Sequence, residues 1–314
     1  SVAVFDRAAF ADNVAQLSGG AIAASIMASV QTSNCEFVNN TAWTGGALAS
    51  SSRAPWTILA CQFTGNQANG TGGAMFASMS SPIQVSDSMF ENNTAFDDGG
   101  AVHVGTSTHH QMVAAHDAHV DFVRCLFLHN TAAGRGGALS INCVGALVNI
   151  LGCSMESNNA DVGGGVAMTE ATSANVLRCN VTSNGAKHGG GVWLGIRATL
   201  SNIRIEGNKA TYYGGGVFSE SSGAVLTNLT VMHNCARHGA GAAIVGNVSV
   251  STLELVNNAA SETGGGLYMQ QTGYGVPTLV NINAWQNTAR VAGDWVFLAW
   301  GDGLQDFEPQ RPTC

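Results

Sequence analysis

An apolar pair spaced two residues apart recurs eleven times along the chain, each time just ahead of an asparagine. The nearer member is Phe10, Phe37, Phe63, Phe90, Phe127, Met155, Val181, Ile205, Val231, Leu255 or Ala284. Its partner is Ala8, Cys35, Cys61, Ser88, Cys125, Cys153, Cys179, Ile203, Leu229, Leu253 or Ile282, with Ser88 the polar exception. Residues two apart on a strand point to the same side, so each pair predicts a short strand with one buried face. The asparagines that follow are Asn13, Asn40, Asn66, Asn93, Asn130, Asn158, Asn184, Asn208, Asn234, Asn258 and Asn287. They are separated by 24 to 29 residues, with one gap of 37. An alanine stands two positions after every one, from Ala15 to Ala289. A glycine stands six positions after in every repeat but one, where Ala240 takes its place. A second apolar run follows the glycines, as in Gly73-Ala74-Met75-Phe76 and Gly216-Val217-Phe218. Each repeat therefore carries two or three short strands separated by turns.

No such unit can bury its apolar face alone, so the repeats must stack, each coil pairing its strands with the coils on either side. The expected fold is all-β, a right-handed parallel β-helix of about eleven coils, the hand following from the crossover rule for parallel strands. Residues 1–314 then form one domain roughly 50 Å long, with an insertion at about 105–119 and a candidate cap at about 294–314. Asparagine tolerates the left-handed backbone of a sharp corner, and identical amides stacked along an axis can form a ladder. Glycine permits positive φ at the next corner. A helical solenoid of similar period is disfavoured by the repeated Gly-Gly doublets and the two-residue apolar pattern. The first coil, with Phe5 and Phe10, and the last, with Trp295, Phe297 and Trp300, are expected to leave sheet edges open to pairing.

The motif itself reads Phe37-Val38-Asn39-Asn40 with Gly45-Gly46-Ala47, Phe63-Thr64-Gly65-Asn66 with Gly72-Gly73-Ala74, and Phe127-Leu128-His129-Asn130 with Gly136-Gly137-Ala138. It resembles the repeat of the chlamydial polymorphic outer-membrane proteins, and similar repeats occur in large cell-surface proteins of algae and other protists. The resemblance implies a β-helical, surface-exposed, adhesin-like module. Later repeats drift to Gly-Gly-Gly-Val.

With 40 glycines, five prolines and 10% charged residues against 45% hydrophobic ones, the composition suits a folded chain with many turns. The net charge is −8 and Lys187 and Lys209 are the only lysines, so no basic stripe exists to meet nucleic acid. Apolar runs are too short to span a bilayer. The chain starts at Ser1, which fits a processed chain or a piece of a longer one. Cys35, Cys61, Cys125, Cys153 and Cys179 share one inward position. Adjacent coils bring them within disulfide range, allowing Cys35 with Cys61 and Cys153 with Cys125 or Cys179, or else a stack of free buried thiols. Cys143, Cys235 and Cys314 lie off that line. Candidate glycosylation sequons begin at Asn39, Asn69, Asn92, Asn180, Asn228 and Asn247 and, with the cysteines, favour an extracellular or cell-surface location.

Candidate chemistry gathers between the asparagines and the glycines. Four positions after the asparagine, consecutive coils carry His188, Tyr212, His238 and Glu262, and beside them run Asp161, Lys187, Tyr213 and Arg237. Aromatic faces with charged donors suit a sugar or a carboxylated glycan, and the alternative is a solvated polar edge. Glu170 and Glu220 follow their corners at matching offsets but two coils apart, slightly wide for an inverting carboxylate pair. Asp97 and Asp98 lack the further oxygen ligands that calcium needs. The insertion holds His109, His110, His116, Asp117 and His119, where His116-x-x-His119 has metal-ligand spacing and a polar surface loop is the plainer account. No metal or cofactor is expected. The function these readings favour is a non-catalytic structural or adhesive module, binding surface or matrix proteins, glycans or copies of itself. A polysaccharide lyase or glycoside hydrolase on the same scaffold is the alternative.

Overall fold

The computed structural model describes residues 1–300 except positions 52, 79–80, 106–118, 196, 222 and 272–276, and excepting the side chains of 143–145, 170–172, 271 and 300. Among these residues the regular elements are all strands, and they form a parallel solenoid. Coil 3 shows the unit. Strand a is Trp56–Leu59, strand b Gln62–Thr64, strand c Gln67–Ala68 and strand d Met75–Ser78. Strand a pairs in parallel with Ser29–Ser33 of the coil before and Ile83–Ser86 of the coil after, and strand d pairs likewise with Leu48–Ser50 and Val102–Gly105. The stacks run from coil 1 (Val2–Asp6, Ala9–Ala11, Ile22–Ala24) to coil 11 (Thr278–Trp285, Thr288–Ala289, Val296–Trp300).

Three corner residues in every coil take left-handed backbone. In coil 3 they are Ala60 (φ 51°), Gly65 (φ 65°) and Gly72 (φ 72°), at the a–b, b–c and c–d corners. The b–c corner corrects one expectation. Its left-handed residue is the one before the ladder asparagine, running from Asp12, Asn39 and Gly65 to His233, Asn257 and Gln286. The ladder asparagine itself stays out of that region, because its own N–H and side chain must both point along the axis. Asn66 donates its backbone N–H to Asn93 Oδ1 at 2.9 Å and its Nδ2 to the same oxygen at 3.0 Å and to the Phe37 carbonyl at 2.9 Å. The amide relay continues unbroken from Asn13 to Asn287. All members but Asn13 are buried.

The c–d corner removes the apparent exception at Ala240. The left-handed glycine there is Gly239 (φ 60°), five residues after Asn234, whereas in coil 3 it is Gly72, six after Asn66. The stretch between ladder and corner thus varies by one residue. Ala240 occupies the second place of the doublet, donating its N–H to Gly264 O just as Gly215 donates to Gly239 O.

The core is built in columns. Phe10, Phe37, Phe63, Phe90 and Phe127 stack with centroids 4.6–5.0 Å apart, and Met155, Val181, Ile205, Val231 and Leu255 continue the line. Beside it Cys35, Cys61, Cys125, Cys153 and Cys179 are buried free thiols. That is the second of the two readings open for them: each sulfur is engaged by backbone, as Cys61 Sγ is by Leu59 O at 3.3 Å. Cys235, in strand c of coil 9, is disulfide-bonded, while the Cys143 side chain and Cys314 lie outside the described residues. The insertion joins Val102–Gly105 to His119–Val123, and residues 106–118 are outside the described set, as are 301–314 of the candidate cap.

Candidate functional site

The c–d corners of coils 6 to 10 bring the predicted stripe residues together, in a register the sequence spacing misassigned. Backbone pairing joins Val162 to His188, His188 to Tyr213, Tyr213 to His238 and His238 to Thr263. Tyr213 and Thr263, not Tyr212 and Glu262, therefore share a row with the two histidines. The cause is the variable corner: coils 8 and 10 carry one more residue between ladder and glycine than coils 7 and 9, and the surplus is absorbed as a bulge. An outer row results, made of Asp161, Lys187, Tyr212, Arg237 and Glu262.

The inner row packs rather than waits for a ligand. His188 stacks on Tyr213 at 5.8 Å and Tyr213 on His238 at 4.9 Å. Both layers lean on side chains that strand d sends outward: Tyr213 lies 5.7 Å from Phe218, and His238 lies 5.6 Å from Tyr268, which stacks on Phe297 at 5.7 Å. Tyr213, Phe218 and Tyr268 are buried, and with Trp193, Tyr212 and Ala243 they form a second apolar layer outside the main core. Burial pushes the Tyr268 phenol above its ordinary value. The outward aromatics of strand d were missed in the sequence, although Trp193, Phe218 and Tyr268 each follow the last corner glycine by two residues.

In the outer row, charges meet across coils. Lys187 Nζ lies 2.7 Å from Asp161 Oδ2, and this hydrogen bond raises the lysine above its usual range. Arg237 Nε donates to Glu262 Oε1 at 2.7 Å, and His238 reaches Glu262 Oε2 at 3.5 Å and Thr263 Oγ1 at 2.8 Å. The Lys187 and Asp161 side chains are 56% and 49% exposed, whereas that of Arg237 is 11% exposed, so one ion pair faces solvent and the other braces the wall. What remains accessible is Asp161, Lys187, part of Tyr212 and Glu262, a short row of alternating charge and aromatic surface on a rigid edge.

Elsewhere the candidates separate. Desolvation holds the Glu220 carboxyl above the usual range, and the Glu170 side chain lies outside the described residues. Asp98 Oδ1 is taken by the Arg135 N–H at 2.7 Å. His109, His110, His116 and Asp117 lie outside the described residues, and His119 begins strand a of coil 5 with an exposed side chain. No cluster of three or more His, Cys, Asp or Glu side chains among the described residues is arranged to hold a metal ion. All six sequon asparagines, Asn39, Asn69, Asn92, Asn180, Asn228 and Asn247, are exposed. No helix among the described residues is long and apolar enough to cross a membrane.

The parallel stack, its three corners per coil and its buried amide ladder agree with a comparison against protein families, in which the right handed beta helix region matches residues 86–260. The chain belongs to that family. The matched span runs from coil 4 into coil 10; it includes Asp161, Lys187, Tyr212 and Arg237 of the corner and stops short of Glu262 and Thr263. It also assigns the right hand to the coil. No curated protein and no solved structure matches the chain.

Proposed function

We propose that this β-helix is a non-catalytic structural or adhesive module of an extracellular or cell-surface assembly, contacting proteins or glycans through its stacked corners. The observation that carries the reading is the exposed row of Asp161, Lys187, Tyr212 and Glu262, held at coil spacing by the packed aromatic layer beneath it. Rigid presentation of a few polar and aromatic groups suits contact with a repeating partner, because little side-chain freedom is lost on binding. The repeat's resemblance to chlamydial surface passengers, and the exposed sequon asparagines, support the location. The test is a glycan and matrix-protein array probed with the purified chain and with a Lys187→Ala variant, whose ion pair faces solvent. Binding lost in the variant at unchanged melting temperature is the expected result. Equal binding by both forms, or none by either, overturns it.

A second reading, hydrolysis or lysis of a polysaccharide, is favoured by one feature, the raised carboxyl of Glu220, since an acid catalyst must stay protonated near neutral pH. Release of reducing ends or unsaturated products by the parent chain, abolished in Glu220→Gln, would establish it.

A further inference from the structure

We infer that Asn69 carries an N-linked glycan whose first sugar packs between Trp43 and Phe96, on the coils before and after it. The inference rests on the extracellular or cell-surface reading above and lies on the same edge as the charged row, in coils 2 to 4. Six sequon asparagines are exposed, and exposure alone does not choose among them. Their surroundings do. Asn180 stands between Ser154 and Arg204, and Asn228 between Asn202 and Thr252. Asn69 instead has an exposed aromatic ring on each side, with Trp43 39% and Phe96 57% exposed.

Backbone pairing fixes this placement. The left-handed corner glycine of coil 2 is Gly45, five residues after Asn40, and that of coil 3 is Gly72, six after Asn66. The extra residue of coil 3 falls at Asn69-Gly70, and both face Trp43: the Asn69 N–H donates to Ala42 O at 3.0 Å and the Gly70 N–H to Trp43 O at 2.8 Å. On the other side the Phe96 N–H donates to Ala68 O at 3.1 Å, which sets Phe96 beside Asn69. A Cβ on Gly70 would lie 3.0 Å from Trp43 Nε1 and 3.4 Å from its Cδ1. Glycine at the middle of the sequon therefore lets the indole rest against it. A pyranose ring carries C–H groups on its faces, and packing these on aromatic rings takes apolar surface of both out of water.

Thr71, the third residue of the sequon, supplies a separate observation. It is 3% exposed, and its Oγ1 is buried with no hydrogen-bond partner among the described residues. A buried hydroxyl without a partner destabilises the fold, which valine would serve better. The sequon does require that hydroxyl. Because Thr71 is buried in the finished coil, the sequon is read before coil 3 closes. The co-reactant is an oligosaccharide joined to a lipid through pyrophosphate. The Asn69 side-chain nitrogen forms a bond to the anomeric carbon as the bond from that carbon to the pyrophosphate oxygen breaks. The lipid pyrophosphate leaves and the amide loses one proton to solvent, with no change of oxidation state.

The test compares the whole chain in two forms: unmodified from bacteria, and secreted from eukaryotic cells, then trimmed by an endoglycosidase to one sugar per site. Peptide mapping of the secreted form should find the sugar on Asn69. Thr71→Val destroys the sequon, keeps Asn69 and removes no hydrogen bond. In the unmodified form it should melt at or above the parent, and in the trimmed form below it by about 1–3 °C. That reversal of sign should vanish in a Trp43→Ala or a Phe96→Ala background, either serving if the other folds poorly. Thr182→Val, which removes the sugar from Asn180, should show no reversal. Sugar on other sequons but not on Asn69, a Thr71→Val shift of one sign in both forms, or a reversal indifferent to both aromatic variants overturns the inference and leaves the location standing. A chain secreted with no sugar on any sequon overturns it and also removes the support that the sequons lend to the location.

Discussion

A ladder asparagine does four things at once in the interior. Asn130 accepts from the Asn93 N–H and Nδ2 through one oxygen, and its Nδ2 donates to Phe90 O and Asn158 Oδ1. Replacing it strands a buried donor on Asn93 and a buried acceptor on Phe90, and each such group costs about 1–3 kcal/mol. Asn130→Ala should therefore lower stability by about 3 kcal/mol or more, read from chemical denaturation, whereas the exposed Asn13→Ala should cost under about 1 kcal/mol. The corner glycine gives a sharper contrast. A Cβ on Gly239 would sit 2.4 Å from Ala242 O at φ +60°, so Gly239→Ala should destabilise strongly, while Ala240→Gly beside it should change melting little. The reverse ranking would restore the six-residue spacing read from the sequence. That spacing was legible as a motif. Which glycine of a doublet turns left-handed was not, because both suit the turn and only pairing with the next coil distinguishes them.

Strand b was written openly in the period-2 apolar pairs and strand d in the apolar runs after the glycines, and their stacking followed from repetition alone. The c–d corner was harder to read. Its residues are outward-facing, yet Tyr213 is buried because Phe218 and Tyr268 of strand d rise beside it, a contact between segments whose relation depends on a one-residue bulge. Tyr213→Ala should cost about 3 kcal/mol by removing the middle of this layer, and Tyr212→Ala about 1 kcal/mol. Equal costs would mean that the two tyrosines share one environment. The a–b corners carry the electrostatics. Asp87 is held below the ordinary carboxylate range by the hydrogen bonds from Arg124, at 2.6 and 2.7 Å. A depressed folded-state pKa stabilises above the unfolded value and loses that contribution as pH falls through the folded one. Arg124→Gln should accordingly melt slightly below the parent at neutral pH and coincide with it in acid. The difference should be small, because both side chains are well exposed.

Along the whole rod, stability is a sum over coils and the interfaces between them, so the middle is bound on two sides and the ends on one. The partly open core residues of coils 1 and 11 show this directly: Phe10 and Val296 retain exposure that Phe63 and Val166 lack. Local opening should follow the same gradient. Amide hydrogen exchange on dilute chain should be slowest at the ladder N–H groups of Asn93, Asn130 and Asn158, each bonded to the next amide at 2.9–3.0 Å, and fastest within the ladder at Asn287.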